Sequence, residues 1–396
     1  MSKRILLVNT LYYPDIAGGA EIYLKLKAES LQKAGYLVNV LVTTERGSIK
    51  NEIINEVSIT RIPIKNVYWH YTNKKPNKYL RFLWHLLDVY NPFIIGDIKR
   101  EIEKFKPDVV FLHNVVGWSV SIISVFTKLK IPTYFVIHDQ YLRCPKTNMF
   151  KGGINCKSQC TSCKILRLPH EKLTQKVTGF IAPSAFILND FKDSEYFKGV
   201  GNHLFYYRNE IKITKKPVFV SPKNPIVFGF LGSLVKAKGI ELLIDEFKKL
   251  PTSNELFIAG KGDIEYVQFL KNKTIGFTNI YFLGFSSPSD LFAKINVLIV
   301  PSIWSESFGL VSVEALANSV PVIANNIGGI PEIIKNEENG LLVNLENENE
   351  LLNAMKSLID NTDLLNTLIK QANNSVQKFL NVDLIAEEYE TIIEAL

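Results

Sequence analysis

Two acidic residues eight positions apart, Glu306 and Glu314, lie in Val300-Pro-Ser-Ile-Trp-Ser-Glu-Ser-Phe-Gly-Leu-Val-Ser-Val-Glu314, which follows an apolar strand pattern and opens a helix expected to run to about Asn318. Ser307, Phe308, Gly309 and Leu310 form the turn into that helix. The first amides of a helix have no intrahelical acceptor, and the helix dipole favours negative charge there, so the amides from Phe308 to Val311 suit an anion such as a diphosphate. A carboxylate accepts two hydrogen bonds from a vicinal diol. Glu306, on the loop, is therefore placed for sugar hydroxyls, and Glu314, one turn into the helix, for ribose hydroxyls. A loop with one capping acid and one solvated helix residue is the plain alternative.

Lys238, in Gly229-Phe-Leu-Gly-Ser-Leu-Val-Lys-Ala-Lys-Gly239, is a second candidate: its ammonium would offset charge developing on a phosphate leaving group, and a solvated lysine is its bland reading. His113 and His138 each follow a strand pattern, in Leu-His-Asn114 and Ile-His-Asp139. Strand C-terminal ends face the ligand crevice of open α/β sheets. Either histidine could thus meet a substrate or pack on a neighbour, with His138 preferred slightly, and Asp139 could orient an acceptor or cap its turn. All four cysteines fall between Cys144 and Cys163, as Cys144, Cys156, Cys160 and Cys163. Four thiols in one loop match the ligand number of a tetrahedral structural zinc site. Free thiols, or oxidised pairs or a cluster, are the other readings.

Two series of βα units must position these groups. Runs 4–9, 37–42, 109–113, 133–138 and 179–183 read as strands, with a helix from Gly19 to Ala34 that ends at Gly35. A second series comprises 226–232, 256–260, 280–284, 297–301 and 321–324, followed by three helical segments, the last over Asp383–Leu396. Lys212 to Pro225, with three prolines and four lysines, reads as a surface linker. The expected division is therefore 1–212, 213–380 and a terminal helix, 381–396, that returns to the first domain.

A length of 396 residues calls for two domains of about 200 residues each. A content of 46% hydrophobic and 21% charged residues excludes a disordered chain, and no apolar run reaches the roughly 20 residues of a bilayer span. Arg4-Ile-Leu-Leu-Val-Asn9 reads as a first strand rather than a leader, so a cytoplasmic enzyme is expected. Residues 1–213 carry 31 Lys and Arg against 17 Asp and Glu, and residues 214–396 carry 15 against 22. The basic first half calls for an anionic partner, such as a membrane surface, a lipid-linked phosphate or an acidic glycan, or is a plain solvated face. Over Asn73 to Lys106, Tyr79, Phe82, Trp84 and Phe93 stand among Lys74, Lys75, Lys78 and Arg81, the pattern of a membrane-facing amphipathic surface or of a helix packed on its sheet.

Together these motifs resemble glycosyltransferase family 4 over nearly the whole chain. The resemblance rests on Glu306-x7-Glu314, on Tyr13-Pro-Asp-Ile-Ala-Gly-Gly-Ala-Glu21, on the Gly229–Gly239 loop, and on Ala259-Gly-Lys-Gly-Asp263, Phe282-Leu-Gly-Phe285 and Asn326-Ile-Gly-Gly-Ile-Pro-Glu332. It implies the GT-B fold, two Rossmann-like doubly wound α/β domains facing across a cleft. It also implies a nucleotide diphosphate sugar donor, UDP- or GDP-linked, with Gly18 and Gly19 near donor phosphates and sugar, Lys238 on the diphosphate, and Gly260, Gly284 and Phe285 near the base. A histidine is implied at the reaction centre. Gly232 and Ser233 fall in the diphosphate loop, with Ser233 where many members carry an arginine. Arg208-Asn-Glu-Ile211 matches the family's closing turn in part, since Glu210 replaces a glycine.

The reaction so implied is front-face, retaining transfer without a divalent ion or other cofactor, onto a glycan or lipid-linked glycan of bacterial surface polysaccharide such as lipopolysaccharide or capsule. Nucleic acid is not an expected partner, and residence at the inner face of the membrane is compatible with the basic half. A nucleotide-sugar 2-epimerase or hydrolase of the same fold, or a non-catalytic nucleotide-binding partner of another transferase, are the alternatives. The intact Glu306/Glu314 pair argues against the last.

Overall fold

Short runs rich in Val, Ile and Phe with both faces apolar form parallel strands covered by helices on each side. The computed structural model describes residues 2–71, 76–208, 211, 213, 218–221 and 225–396. By its contacts the chain divides into two units. One comprises Met1–Asn148, Lys157–Asn209 and Asn381–Leu396, the other Met149–Cys156 and Glu210–Leu380. The division thus falls at 209/210, and the short segment from Met149 to Cys156 belongs with the second unit. Of the linker expected over 212–225, residues 212, 214–217 and 222–224 lie outside the described residues, as do Asn209 and Glu210 of the closing turn.

In the first unit the strands are β1 (Arg4–Val8), β2 (Leu37–Thr44), β3 (Lys50–Ile54), β4 (Val57–Pro63), β5 (Val109–Leu112) and β6 (Thr133–Val136). A two-stranded hairpin, β7 (Phe150–Lys151) and β8 (Ile154–Asn155), precedes β9 (Gly179–Ala182) and β10 (Gly201–Leu204). The sheet order is β10-β9-β6-β5-β1-β2-β4-β3, parallel except where β3 pairs antiparallel with β4. β5, β6 and β9 are buried along their whole length. The edge strand β3, Lys-Asn-Glu-Ile-Ile, is exposed over its first four residues and carries too little apolar pattern to be read from sequence. The first helix spans Gly19–Lys33, and Gly35 follows at φ +94°, the left-handed conformation expected of it.

The final helix, Leu384–Glu394, packs on the first unit's sheet: Ala386, Tyr389, Ile392 and Ile393 join Ile5, Leu7, Leu24 and Phe111 in one core. Tyr389 lies 4.5 Å from Phe111, ring to ring. Beneath it runs Lys27, fully buried, its Nζ 3.3 Å from the Tyr389 ring centroid and donating to Ile385 O at 3.2 Å. Glu388 of the same helix pairs with Arg208.

In the second unit β11 (Val227–Leu231), β12 (Glu255–Ala259), β13 (Ile280–Gly284), β14 (Val297–Val300), β15 (Val322–Asn325) and β16 (Gly340–Val343) form a parallel sheet ordered β13-β12-β11-β14-β15-β16. Its core is one apolar cluster that includes Phe228, Ile244, Phe247, Leu256, Val297 and Met355. Among the described residues no helix is long and apolar enough to cross a membrane.

Tyr389→Ala removes a fully buried ring, and by analogy with aromatic-to-alanine changes in other cores it should cost about 3–5 kcal/mol. Urea unfolding followed by a probe in the first unit measures this. A loss of under about 1 kcal/mol would show that the terminal helix is not part of that core.

Candidate active site

In a doubly wound sheet the crevice opens where strand order reverses direction, beyond the strands' C-terminal ends. The second sheet runs β11, β12, β13 to one side of β11 and β14, β15, β16 to the other, so its switch point lies between β11 and β14. The loops leaving these two strands carry Lys238 and Glu306, and their main chains are joined: Ile303 N and Trp304 N both donate to Ala237 O, at 2.9 and 3.3 Å. Gly239 is required by this approach. Its φ is +70°, and a Cβ there would fall 1.8 Å from Pro301 O.

Glu306 is 8% exposed, and one of its oxygens, Oε1, accepts three hydrogen bonds. Lys238 Nζ donates at 2.5 Å, Ser302 Oγ at 2.6 Å and Trp304 Nε1 at 3.0 Å. Asn325 Nδ2 holds Ser302 O at 2.8 Å, and Gly329 N holds Glu306 O at 2.8 Å. Behind the residue, Gly328 at φ +62° must be glycine, because a Cβ there would stand 2.4 Å from Glu306 O. The carboxylate is thus fixed from its side chain and from its backbone.

The helix Leu310–Ala317 begins at Gly309, φ +103°, with no side chain capping it, so the amides of its first turn point outward unclaimed by a cap. Phe308 is buried against Phe379, whose ring is 5.4 Å away, and anchors that turn; Ser307 and Val311 flank it half-buried. Glu314 lies in the same helix, half-buried, its carboxylate accepting no hydrogen bond from the described residues, and burial pushes it up from 4.5 to about 7. Gly232, Gly260 and Gly284 stand at the ends of β11, β12 and β13, linked by Gly232 N to Ala259 O at 3.1 Å and Gly260 N to Gly284 O at 2.7 Å. Ser233 is exposed beside them, and Phe285, 75% exposed, lies under the Lys261 ammonium at 4.6 Å.

In the first sheet the switch point lies between β1 and β5. Gly18 and Gly19 are exposed in the loop after β1, where Gly18 N donates to Glu21 Oε2 at 2.8 Å, a backbone cap of the first helix. His113 follows β5 and His138 follows β6, and the two meet: His113 Nδ1 and His138 Nε2 are 3.1 Å apart. His138 Nδ1 bonds the hydroxyl of Tyr207, whose ring stacks on it at 5.5 Å. Both ring nitrogens of His138 are therefore engaged within the unit, whereas His113 Nε2 is buried with no partner among the described residues. Burial holds His138 down at about 3 and His113 well below the usual range, so both rings are neutral at pH 7. Asp139 Oδ1 accepts from Tyr141 N at 2.7 Å, which caps the turn, and burial pushes its carboxyl up to about 6.

Two parallel-sheet switch points in one chain, the second with a paired acid and ammonium, agree with what sequence comparison finds. Residues 17–196 match the family described as Glycosyltransferase Family 4, and residues 212–375 match the family described as Glycosyl transferases group 1. The chain is a family 4 glycosyltransferase. It is 30% identical to an uncharacterized 42.6 kDa protein in the cps region of Klebsiella pneumoniae, covering 98% of each chain. It is 28% identical to the capsular polysaccharide biosynthesis glycosyltransferase CapM of Staphylococcus aureus over 42% of this chain and 45% of that one. Among solved structures, Anabaena HepE in complex with UDP superposes over 100% of both chains with a TM-score of 0.72 at 17% identity, so the fold is GT-B.

Within this glycosyltransferase the four cysteines read as a possible structural metal site divide by contacts, Cys156 falling in the second unit and Cys144, Cys160 and Cys163 in the first. Among the described residues no group of three or more His, Cys, Asp or Glu side chains is arranged to hold a metal ion. No disulfide joins any of the four, and burial, with Cys160 and Cys144 close by, pushes the Cys163 thiol up to about 12. Ser302 and Trp304 are site residues to which the sequence reading gave no role. Ser302 and Trp304 stood inside the quoted motif, and their spacing of four and two before Glu306 was the available signal. Tyr207 carried none, because its partner His138 is 69 residues away.

Because burial raises Glu314, the folded chain keeps a proton that the unfolded chain releases from about pH 4.5 upward. The stability this contributes is full below that pH and is lost as pH rises through about 7. Glu314→Gln should therefore gain in Tm on the native protein between about pH 5 and about pH 8. Parallel Tm–pH curves for the two proteins would refute the burial assigned to Glu314.

Proposed function

We propose that this glycosyltransferase is a retaining enzyme that takes a sugar from a UDP- or GDP-linked donor held by its second unit. The observation that carries this reading is the convergence of Lys238, Ser302 and Trp304 on one oxygen of Glu306, beside a helix that opens without a cap at Gly309. Ammonium and helix amides together match a pyrophosphate, since each offsets negative charge and each supplies donors. Glu314 is a carboxylate short of donors, which ribose hydroxyls would provide, and Glu306 accepts from sugar hydroxyls. HepE, a protein of the same fold, binds UDP.

In the transfer step the acceptor hydroxyl attacks the anomeric carbon from the face the diphosphate leaves. The bond from C1 to the phosphate oxygen breaks as that from C1 to the acceptor oxygen forms, and the acceptor proton passes to the departing phosphate. Lys238 and the amides at Gly309 to Val311 stabilise the charge on the leaving group, and no divalent ion enters this scheme. Glu306 holds the sugar and is not a nucleophile, because no second carboxylate flanks the same bond in this reading.

The acceptor is a glycan or lipid-linked glycan of a surface polysaccharide, a reading supported by the cps-region relative and by CapM. The helix Lys78–Val89 supports a lipid environment for it. Tyr79, Leu80, Phe82, Leu83 and Leu86 are exposed beside Lys78 and Arg81, while the helix's one acid, Asp88, is buried under Tyr141 and Gly117 N. An exposed apolar face with cations and no acid fits the surface of an anionic bilayer. Trp84, expected on that face, is buried at 4% exposure because helical periodicity places it with Asp88, and its indole donates to Tyr68 O. Lys74 and Lys75 lie outside the described residues.

Glu306→Ala should lower kcat/KM for the donor by about 10²–10³, the scale of losing one charge-positioning group in a desolvated site. Release of nucleoside diphosphate from UDP- and GDP-sugars measures it, and near-normal turnover would overturn the assignment. Vesicles containing phosphatidylserine or phosphatidylglycerol should pellet the native chain, and Lys78→Glu with Arg81→Glu should leave it in the supernatant. Equal pelleting of both would remove the membrane from the scheme.

A further inference from the structure

The hairpin β7–β8 turns at Gly152-Gly153 and is closed by Cys156 N donating to Met149 O at 2.6 Å. By its contacts it belongs with the second unit, although it is remote in sequence from the residues that form that unit's site. The last residue of β8, Asn155, is half-buried and spends its whole carboxamide on the loop that carries Glu306. Its Nδ2 donates to Ile303 O at 2.7 Å, and its Oδ1 accepts from Ser305 N at 3.0 Å. A carbonyl can only accept and an amide N–H only donate, so this pair of bonds sets one orientation of the side chain.

The two groups that Asn155 grips flank Trp304, whose indole bonds Glu306 Oε1, and Ser305 immediately precedes Glu306. Elsewhere the loop's main chain is held from other segments: Ile303 N by Ala237 O, Ser302 O by Asn325 and Glu306 O by Gly329 N. Asn155 supplies the missing ties between Ile303 and Ser305. Because it is half-buried, water can replace its bonds when it is removed, so the fold survives while the loop gains freedom.

We propose that Asn155 is a positioning residue for Glu306, fixing through Ile303 and Ser305 the place of the carboxylate that receives the donor sugar. This rests on the donor-site reading given above. A displacement of about 1 Å at such a group costs up to about a hundredfold in rate, and Asn155→Ala should lower kcat/KM for the donor by about ten- to a hundredfold. Because the loss acts through Glu306, the two substitutions should not multiply: in a Glu306→Ala background, Asn155→Ala should change turnover little. UDP or GDP alone, which lacks the sugar that Glu306 receives, should bind both Asn155 variants as it binds the native protein.

The experiment is a double-mutant cycle on Asn155 and Glu306, read by nucleoside diphosphate release and by UDP and GDP titration. Turnover lost in Glu306→Ala but retained in Asn155→Ala overturns this inference alone, as do losses that multiply in the double variant. Turnover unaffected by Glu306→Ala overturns the donor-site reading and this inference with it. Should Asn155→Ala melt early, Asn155→Asp, which keeps the acceptor for Ser305 N and loses the donor to Ile303 O, decides on the same readouts, with reduced turnover and intact UDP or GDP binding expected.

Discussion

A carboxylate with only 8% of its surface exposed costs several kcal/mol in lost hydration unless its charge is met, and the Glu306 loop is arranged to meet it. An ammonium, a hydroxyl and an indole N–H all point at one oxygen, which requires the Lys238 loop and the Glu306 loop to arrive together. Lys238 arrives because its loop's Ala237 carbonyl receives two amides of the Glu306 loop, and that approach is close enough to demand glycine at 239. Ser302 arrives because Asn325 at the end of β15 holds its carbonyl. Parallel order does the rest, since β11, β14 and β15 are neighbours that all end on the same edge. The site is a consequence of satisfying one buried charge at a sheet switch point.

The first unit manages its buried polar groups differently. Lys27 is fully buried, and burial pulls its ammonium well below the usual range, partly countered by Glu388. Glu388 in turn pairs with Arg208, and the ring of Tyr389 covers Lys27 from above. Tyr23, 5.0 Å from Lys27, packs at 4.8 Å on Tyr207, the residue that bonds His138. A terminal helix far from β5 and β6 in sequence is thereby linked, through side chains in contact, to the histidines that follow those strands.

Much of this was legible because it is local. Strands buried on both faces announce themselves as apolar runs, and β1, β2, β5, β6, β9, β11, β12, β14 and β15 fall where such runs stand, as does the partly exposed edge strand β13. β3 was illegible because an exposed edge strand has no apolar pattern, and β16 because Gly-Leu-Leu-Val is too short to distinguish from a buried turn. In the site, the spacing of Glu306 and Glu314 and the lysine before Gly239 are visible in a single stretch each. Asn155 and Tyr207 are not, because each meets its partner across 69 residues or more, and nothing in an isolated asparagine or tyrosine marks it. For the cysteines, adjacency in sequence does not fix unit membership, since by contacts the hairpin places Cys156 in a different unit from the other three.

The two units also differ in the charge they offer a ligand. In the first, the two histidines at the strand ends and their neighbour Tyr207 are neutral at pH 7: burial keeps both rings unprotonated and holds the proton on the Tyr207 hydroxyl, whose ionisation lies well above its usual range. They can exchange hydrogen bonds with a hydroxyl group but provide no net attraction for a phosphate. In the second, a lysine ammonium paired with Glu306 and an uncapped helix turn supply donors beside that carboxylate, in a half that as a whole carries 15 basic against 22 acidic residues. Coulomb attraction at contact distance in a partly desolvated site exceeds anything the distant surface charge contributes across a Debye length of about 8 Å. In the proposed reading, local geometry rather than the net charge of a domain decides which unit takes an anion, while in the first half Lys78 and Arg81 border exposed aromatic rings.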